Sequence, residues 1–240
     1  MDRVITGISA SPGIVIGPAH LLRWEVPDVP QRIIPDEDIP AEVARFHEVL
    51  VRARERLDAV RDRAARQAGA EEASIFEAQR MILDDGAIVS QVEAYIRQNL
   101  GAEKAFDVVM QEFRQHFARS HAPMLRERVG DLTDVHIRVL SLMLGLGDHD
   151  PVDVRKGANA ILVTHDLTPS LTVQLDREAI AGIATDSGTR TSHVAILARS
   201  LGIPAVVGLR DALQRLRGGE TLVLDGSNGL LVVDPSPAQV

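Results

Sequence analysis

The chain has 240 residues, of which 45% are apolar and 3% aromatic, and carries a formal charge of -8 from 34 acidic and 26 basic residues. It is long enough for one large or two small domains and too apolar for a disordered chain, so its packing must come from Leu, Ile, Val and Ala. The acidic balance gives no support to a nucleic-acid binder, the lack of any Cys excludes disulfides, thiolate nucleophiles and Cys-ligated metal centres, and no apolar run approaches a membrane span.

Met1 to Gly7 lacks the basic-then-apolar pattern of a secretory signal, so a soluble cytoplasmic protein is expected. Residues 1 to about 35 read as short strands and turns. Ile14-Val15-Ile16 lies between Gly13 and Gly17, with Pro12 and Pro18 outside them, a density of Gly and Pro that punctuates strands and opposes helix. From Ile39 the pattern turns helical. Ile39, Val43, Phe46, Leu50, Ala53, Leu57 and Val60 recur at spacings of three and four, which places them on one helix face, and Gly69 is the expected stop. A second helix is expected from Glu71 to Leu83 and a third from Ala87 to Gln98. A fourth carries Phe106, Val109, Phe113 and Phe117. A fifth starts at Pro123, runs toward Gly145 and is weakened at Gly130. Short connections between such helices predict an antiparallel bundle.

Beyond Gly147-Asp148-His149-Asp150-Pro151 the texture reverts. Residues 160–164, 180–185, 205–207, 221–224 and 230–233 read as strands, with a short helix over Val194–Ser200. Strands alternating with short helices predict an α/β layer structure. The N-terminal strands need partners, and the economical solution joins residues 1–35 to residues 146–240 as one discontinuous α/β domain. The helical region 36–145 is then an insertion.

Chemistry concentrates in two loops. Asp186-Ser187-Gly188-Thr189-Arg190-Thr191-Ser192-His193 follows one predicted strand and precedes a helix. A helix N-terminus offers unpaired N–H groups and positive dipole character to a phosphate, and His193 stands where that phosphate would be. A neutral imidazole attacks through one nitrogen while the other holds an oriented proton, and Arg190 is a candidate electrostatic helper. A surface or capping role for His193 explains the spacing equally well. His165-Asp166-Leu167-Thr168-Pro169-Ser170 ends another strand. There Thr168 reads as a helix cap before Pro169, or as the group that holds the active imidazole in its tautomer. No HExxH pattern, calcium loop, P-loop or dinucleotide fingerprint is present.

The run Thr189-Arg190-Thr191-Ser192-His193-Val194-Ala195-Ile196-Leu197-Ala198-Arg199, followed by Leu201-Gly202-Ile203-Pro204-Ala205-Val206-Val207-Gly208, resembles the phosphohistidine signature of PEP-utilising enzymes. The opening run Gly7–Gly17 and the long helical insertion resemble, within that group, the N-terminal half of Enzyme I of the bacterial sugar phosphotransferase relay. The resemblance implies an α/β phosphohistidine domain of the swivelling β/α kind with an inserted all-α helical bundle. It implies that His193 is phosphorylated at Nε2, that Thr168 bonds its other nitrogen, and that the bundle docks HPr, a small phosphocarrier protein. Gln79, Met81, Ile82, Asp85 and Arg128 match the docking surface. PEP and magnesium are expected to bind a C-terminal barrel absent here, so no cofactor or metal is expected in this chain. The chain alone is expected to be monomeric and the longer enzyme a homodimer, with neither nucleic acid nor membrane as partner. A carrier domain of a dikinase or PEP synthase is the nearest alternative, and a non-catalytic docking module the next. Three positions depart from the family pattern: Thr189 replaces a common second glycine, Gln79 a common histidine and Thr133 a common arginine.

Overall fold

A computed structural model describes residues 4–67, 69–146, 157–176 and 178–236. The chain divides into two units, Met1–Trp24 with His149–Val240, and Glu25–Asp148. The change of texture at Gly147–Pro151 lies outside the described residues.

In the first unit the apolar runs become strands: β1 (Val4–Thr6), β2 (Ile8–Ser11), β3 (Ile14–Leu22), β4 (Ala160–Thr164), β5 (Ile180–Thr185), β6 (Ala205–Val207), β7 (Thr221–Asp225) and β8 (Leu230–Val233). They form one sheet in the order β1-β8-β7-β3-β4-β5-β6-β2. The ladders from β3 through β4 and β5 to β6 are parallel, and the outer ones are antiparallel. Both faces of the centre are covered, as a parallel sheet requires. Along β4, Ala160 and Leu162 point into one core with Leu167, Leu171, Val194, Ala195 and Ala198, while Ile161 and Val163 point into the other with Ala212, Leu213 and Leu216. The first core is roofed by α7 (Pro169–Gln174) and α8 (His193–Leu201), the second by α9 (Ala212–Arg215).

Pro18, expected as a terminator, lies inside β3. The antiparallel ladder to β7 ends there, at Pro18↔Thr221, and the parallel ladder to β4 begins at Ala19↔Ile161. A residue without an N–H fits where the chain changes partner. Gly17 beside it is set by close approach, because a Cβ would stand 2.2 Å from the Asn159 carbonyl oxygen.

The second unit holds α1 (Ile39–Gln67), α2 (Ala70–Leu83), α3 (Gly86–Ile96), α4 (Ala102–Ala118), α5 (Pro123–Glu127) and α6 (Val129–Met143). The spacing-based face of α1 is the buried one: Phe46, Leu50, Ala53, Leu57 and Val60 all enter the core, with Phe76, Phe106 and Leu140 from other helices. The expected fifth helix is two, α5 and α6, parted at Arg128, and Gly130 sits within α6.

The domain boundaries need correction. Residues 25–35, assigned to the α/β domain from the sequence, belong with the helices. Ile34 is buried, its N–H donates to the Asn99 carbonyl at 2.8 Å, and the Gly101 N–H donates to the Arg32 carbonyl at 2.8 Å. Arg32 also joins Glu42, Arg45 and Glu103 in a four-charge network. Among the described residues no helix is long and apolar enough to cross a membrane.

Candidate functional site

Parallel neighbours send their following loops to the same edge of a sheet. β4 and β5 end in register, Thr164 opposite Thr185, so the two chemistry-bearing loops leave side by side. They are tied together at once. The Ser187 N–H and Oγ both donate to the His165 carbonyl, at 2.9 and 3.0 Å, and the Asp186 N–H donates to Thr164 at 3.0 Å. Each loop then enters a helix on the same face of the sheet.

Thr168 caps α7. Its Oγ1 accepts the Leu171 N–H at 3.4 Å and lies 3.1 Å from the Ser170 hydroxyl, with Pro169 in the first turn. Ser192 caps α8 in the same manner, its Oγ accepting from the Ala195 N–H at 3.4 Å. His193 is therefore the first residue of a capped helix. Its side chain is exposed while Val194 and Ala195 behind it are buried. The initial N–H groups of such a helix have no partner within it and face the imidazole's surroundings. Arg190 is exposed, and its guanidinium makes no hydrogen bond or ion pair among the described residues. Gly188 turns the loop at φ 107°, and a Cβ there would stand 3.2 Å from both Ser192 Oγ and Val207 Cβ. Thr189, by contrast, has no positive φ, so its replacement of a common glycine puts no strain on the backbone.

Asp186 anchors the loop from below. Its carboxylate accepts the N–H groups of Ala212 and Leu213, at 2.7 and 3.2 Å, which caps α9. Burial raises its carboxyl above the ordinary carboxylate range, against the pull of those two amides and of His165.

The docking candidates lie in the helical unit. Met81 is 72% exposed on the last turn of α2, and Ile82 beside it is half-buried. Asp85 is exposed and caps α3 by accepting the Ala87 N–H at 2.8 Å. Arg128 is exposed at the α5–α6 junction, 3.5 Å from Asp131. Gln79 is a correction. It is fully buried and donates to Asp134 at 3.0 Å, so it ties α2 to α6 and presents nothing to a partner. The family resemblance did not reveal this, because a motif match does not say whether a glutamine's side chain finds a partner inside the bundle. Thr133 turns its hydroxyl back onto the Val129 carbonyl at 2.8 Å. Among the described residues no group of three or more His, Asp or Glu side chains could hold a metal ion.

A family model for the N-terminal part of PEP-utilising enzymes matches residues 6–128, and one for their mobile domain matches residues 157–229. The chain belongs to the PEP-utilising enzymes. Within that family it is 37% identical over 237 residues to the phosphoenolpyruvate-protein phosphotransferase of Bacillus sp. (strain S), covering 98% of this chain and 40% of that protein. It is 38% identical to the one from Haemophilus influenzae, over 99% of this chain and 41% of that protein. The chain thus spans about 40% of the length of the curated relatives it matches. A solution structure of Enzyme I (nEIt) superposes with a TM-score of 0.79 at 33% identity, covering 98% of this chain and 95% of that one. The N-terminal domain of Enzyme 1 - Nitrogen follows at 0.63 and 28%, with the same coverage.

Proposed function

We propose that this chain is a phosphoryl carrier and transferase, with His193 alternately accepting and releasing a phosphoryl group. The observation that carries the proposal is the pairing of the two loops: an exposed histidine opens α8, a capping threonine opens α7, and the helices start from adjacent, in-register parallel strands on one face of the sheet. The likeness to phosphoenolpyruvate-protein phosphotransferases supports the same reading over a dikinase carrier or a docking module.

In the step we infer, the lone pair of His193 Nε2 attacks phosphorus in the donor. A new N–P bond forms on His193 as the donor's bond to phosphorus breaks, its electron pair returning to the donor atom. The proton on Nδ1 stays in place, held by Thr168 Oγ1, so His193 needs no proton lost to attack. Arg190 and the amides opening α8 offset the charge on the phosphoryl oxygens. With both partners phosphohistidines, the exchange is balanced and catalysis is positioning and charge stabilisation.

The partner we assign is HPr, which would hand its phosphoryl group to His193 or take it back. Met81, Ile82, Asp85 and Arg128 are the proposed contacts. In the longer relatives the donor to the histidine would be PEP, with magnesium, at a domain outside the matched region. This chain by itself should not use PEP, and we expect it to be monomeric and cytoplasmic.

The test is label transfer from HPr phosphorylated on its histidine, with the product mapped by mass spectrometry in the parent and in His193→Ala. Label on His193 that disappears in the variant is the expected result. A folded parent that takes no label from an active donor, or label that persists in the variant, would overturn the assignment.

A further inference from the structure

Strand β2 is irregular where it meets β6. Ser9 pairs with Val206 and Ser11 with Ala205, so Ala10 is an extra residue, a β-bulge at the sheet edge. A bulge takes its residue out of the ladder, and Ala10 is 4% exposed, so its backbone needs a partner elsewhere. Arg199 supplies one. From the α8 turn beyond His193, its Nη1 donates to the Ala10 carbonyl at 2.7 Å and its Nη2 to the Arg190 carbonyl at 2.9 Å. One planar guanidinium thus bridges the bulge and the loop that delivers His193, three residues before it. A fork of fixed geometry suits this task as an ammonium does not. The same loop is closed from the other side. Gly208 follows β6 with φ 71°, its N–H donates to Ser187 at 3.1 Å, and a Cβ there would meet Ile8 Cδ1 at 3.2 Å and the Gly188 oxygen at 3.4 Å.

We propose that Arg199 is a positioning residue for phosphoryl transfer: the strut from Ala10 through Arg199 to Arg190 makes β2 part of the machinery that sets the His193 loop. The proposal rests on His193 being the phosphoryl carrier. The Arg199 guanidinium is taken up by two backbone carbonyls, those of Ala10 and Arg190. It holds the peptide chain whose position decides how the imidazole meets its donor, and misplacement by about an ångström slows such reactions by on the order of a hundredfold.

The experiment uses the 240-residue chain with Arg199→Ala and Arg199→Lys. Hydrogen exchange is measured at the amides of residues 188–194, along with the thermal midpoint and the kcat and KM for phosphate transfer from phosphorylated HPr. The expected outcome is faster loop exchange, kcat lowered about tenfold or more with KM unchanged in Arg199→Ala, and partial recovery in Arg199→Lys, which keeps a single donor nitrogen in place of the fork. Loop exchange and kcat equal to the parent's in both variants would overturn the strut. So would a kcat loss that merely tracks a general loss of folding, with exchange raised throughout the sheet. If the parent accepts no phosphate but the Arg199→Ala loop still opens selectively, the strut stands as structure and the carrier reading falls. If the parent transfers and Arg199→Ala does so equally well, the carrier reading stands and the positioning role falls.

Discussion

At the scale of single residues, one side chain of the candidate site carries two duties. Thr168 caps α7 through Oγ1 and, in the proposed chemistry, also holds Nδ1 of His193. The two duties separate experimentally. Thr168→Ser keeps the hydroxyl and should transfer phosphate within a few-fold of the parent. Thr168→Val removes it. Loss of the cap costs about 1 kcal/mol, a stability change small enough to leave the protein folded, while the transfer rate should fall about tenfold or more. Stability by denaturant titration beside single-turnover transfer checks this, and a Val variant that transfers at the parent rate removes Thr168 from the chemistry. Gln79 shows the opposite limit. The family resemblance put it on the docking surface, yet it is fully buried and its Nε2 donates to Asp134 between α2 and α6. A helix face can be read from spacing, but which polar residue on its border turns inward depends on a partner that only packing supplies.

At the scale of elements, loops carry constraints that strands and helices do not. Gly188 adopts φ 107°, and Ser192 and Val207 crowd the place of a Cβ. Gly188→Ala should lose about 1–3 kcal/mol and distort the turn before His193. Thr189→Gly, at a position without positive φ, should cost less than about 1 kcal/mol, from added freedom of the unfolded chain. Paired denaturation curves decide the matter, and equal losses in the two variants would mean that the turn is not built as described. The helices were legible from their periods, including the buried face of α1, because i, i+3 and i+4 neighbours are local. The division at Arg128 and the passage of Pro18 through β3 were not. Each depends on what packs alongside, the second on a strand that swaps one ladder for another at the residue lacking an N–H.

At the scale of the molecule, the helical unit carries a buried titratable pair. In the helical unit His136 is fully buried, with Nε2 3.1 Å from Asp107 and Nδ1 3.5 Å from Arg114. Burial lowers its pKa to about 4, with Asp107 pulling upward and Arg114 downward. An unfolded histidine titrates near 6.5, so between about pH 6.5 and 4 the unfolded state binds the extra proton. Stability is therefore full above pH 6.5 and falls as the pH drops toward 4, by roughly 3 kcal/mol at most. Asp107, whose carboxyl is held low in spite of burial by Lys104 and Gln111, adds a further loss in more acidic solution. Acid should open the helical unit's amides, and His136→Gln should flatten the pH dependence between 6.5 and 4. Hydrogen exchange across that range checks both, and a parent whose helical amides are equally protected at pH 4.5 and 7 would contradict the assignment.

The sequence by itself determined the sheet-forming and helix-forming stretches, the insertion of a helical region between strands that must find each other, and the loop with His193 at a helix start. Those features are written in periods, caps and turn residues that neighbours along the chain share. Tertiary structure alone decided that residues 25–35 belong with the helices, that Gln79 faces inward, and that a bulge at Ala10 meets Arg199 189 residues away. The physical reason is common to all three. A buried polar group must be satisfied, and no local pattern says which distant group will satisfy it.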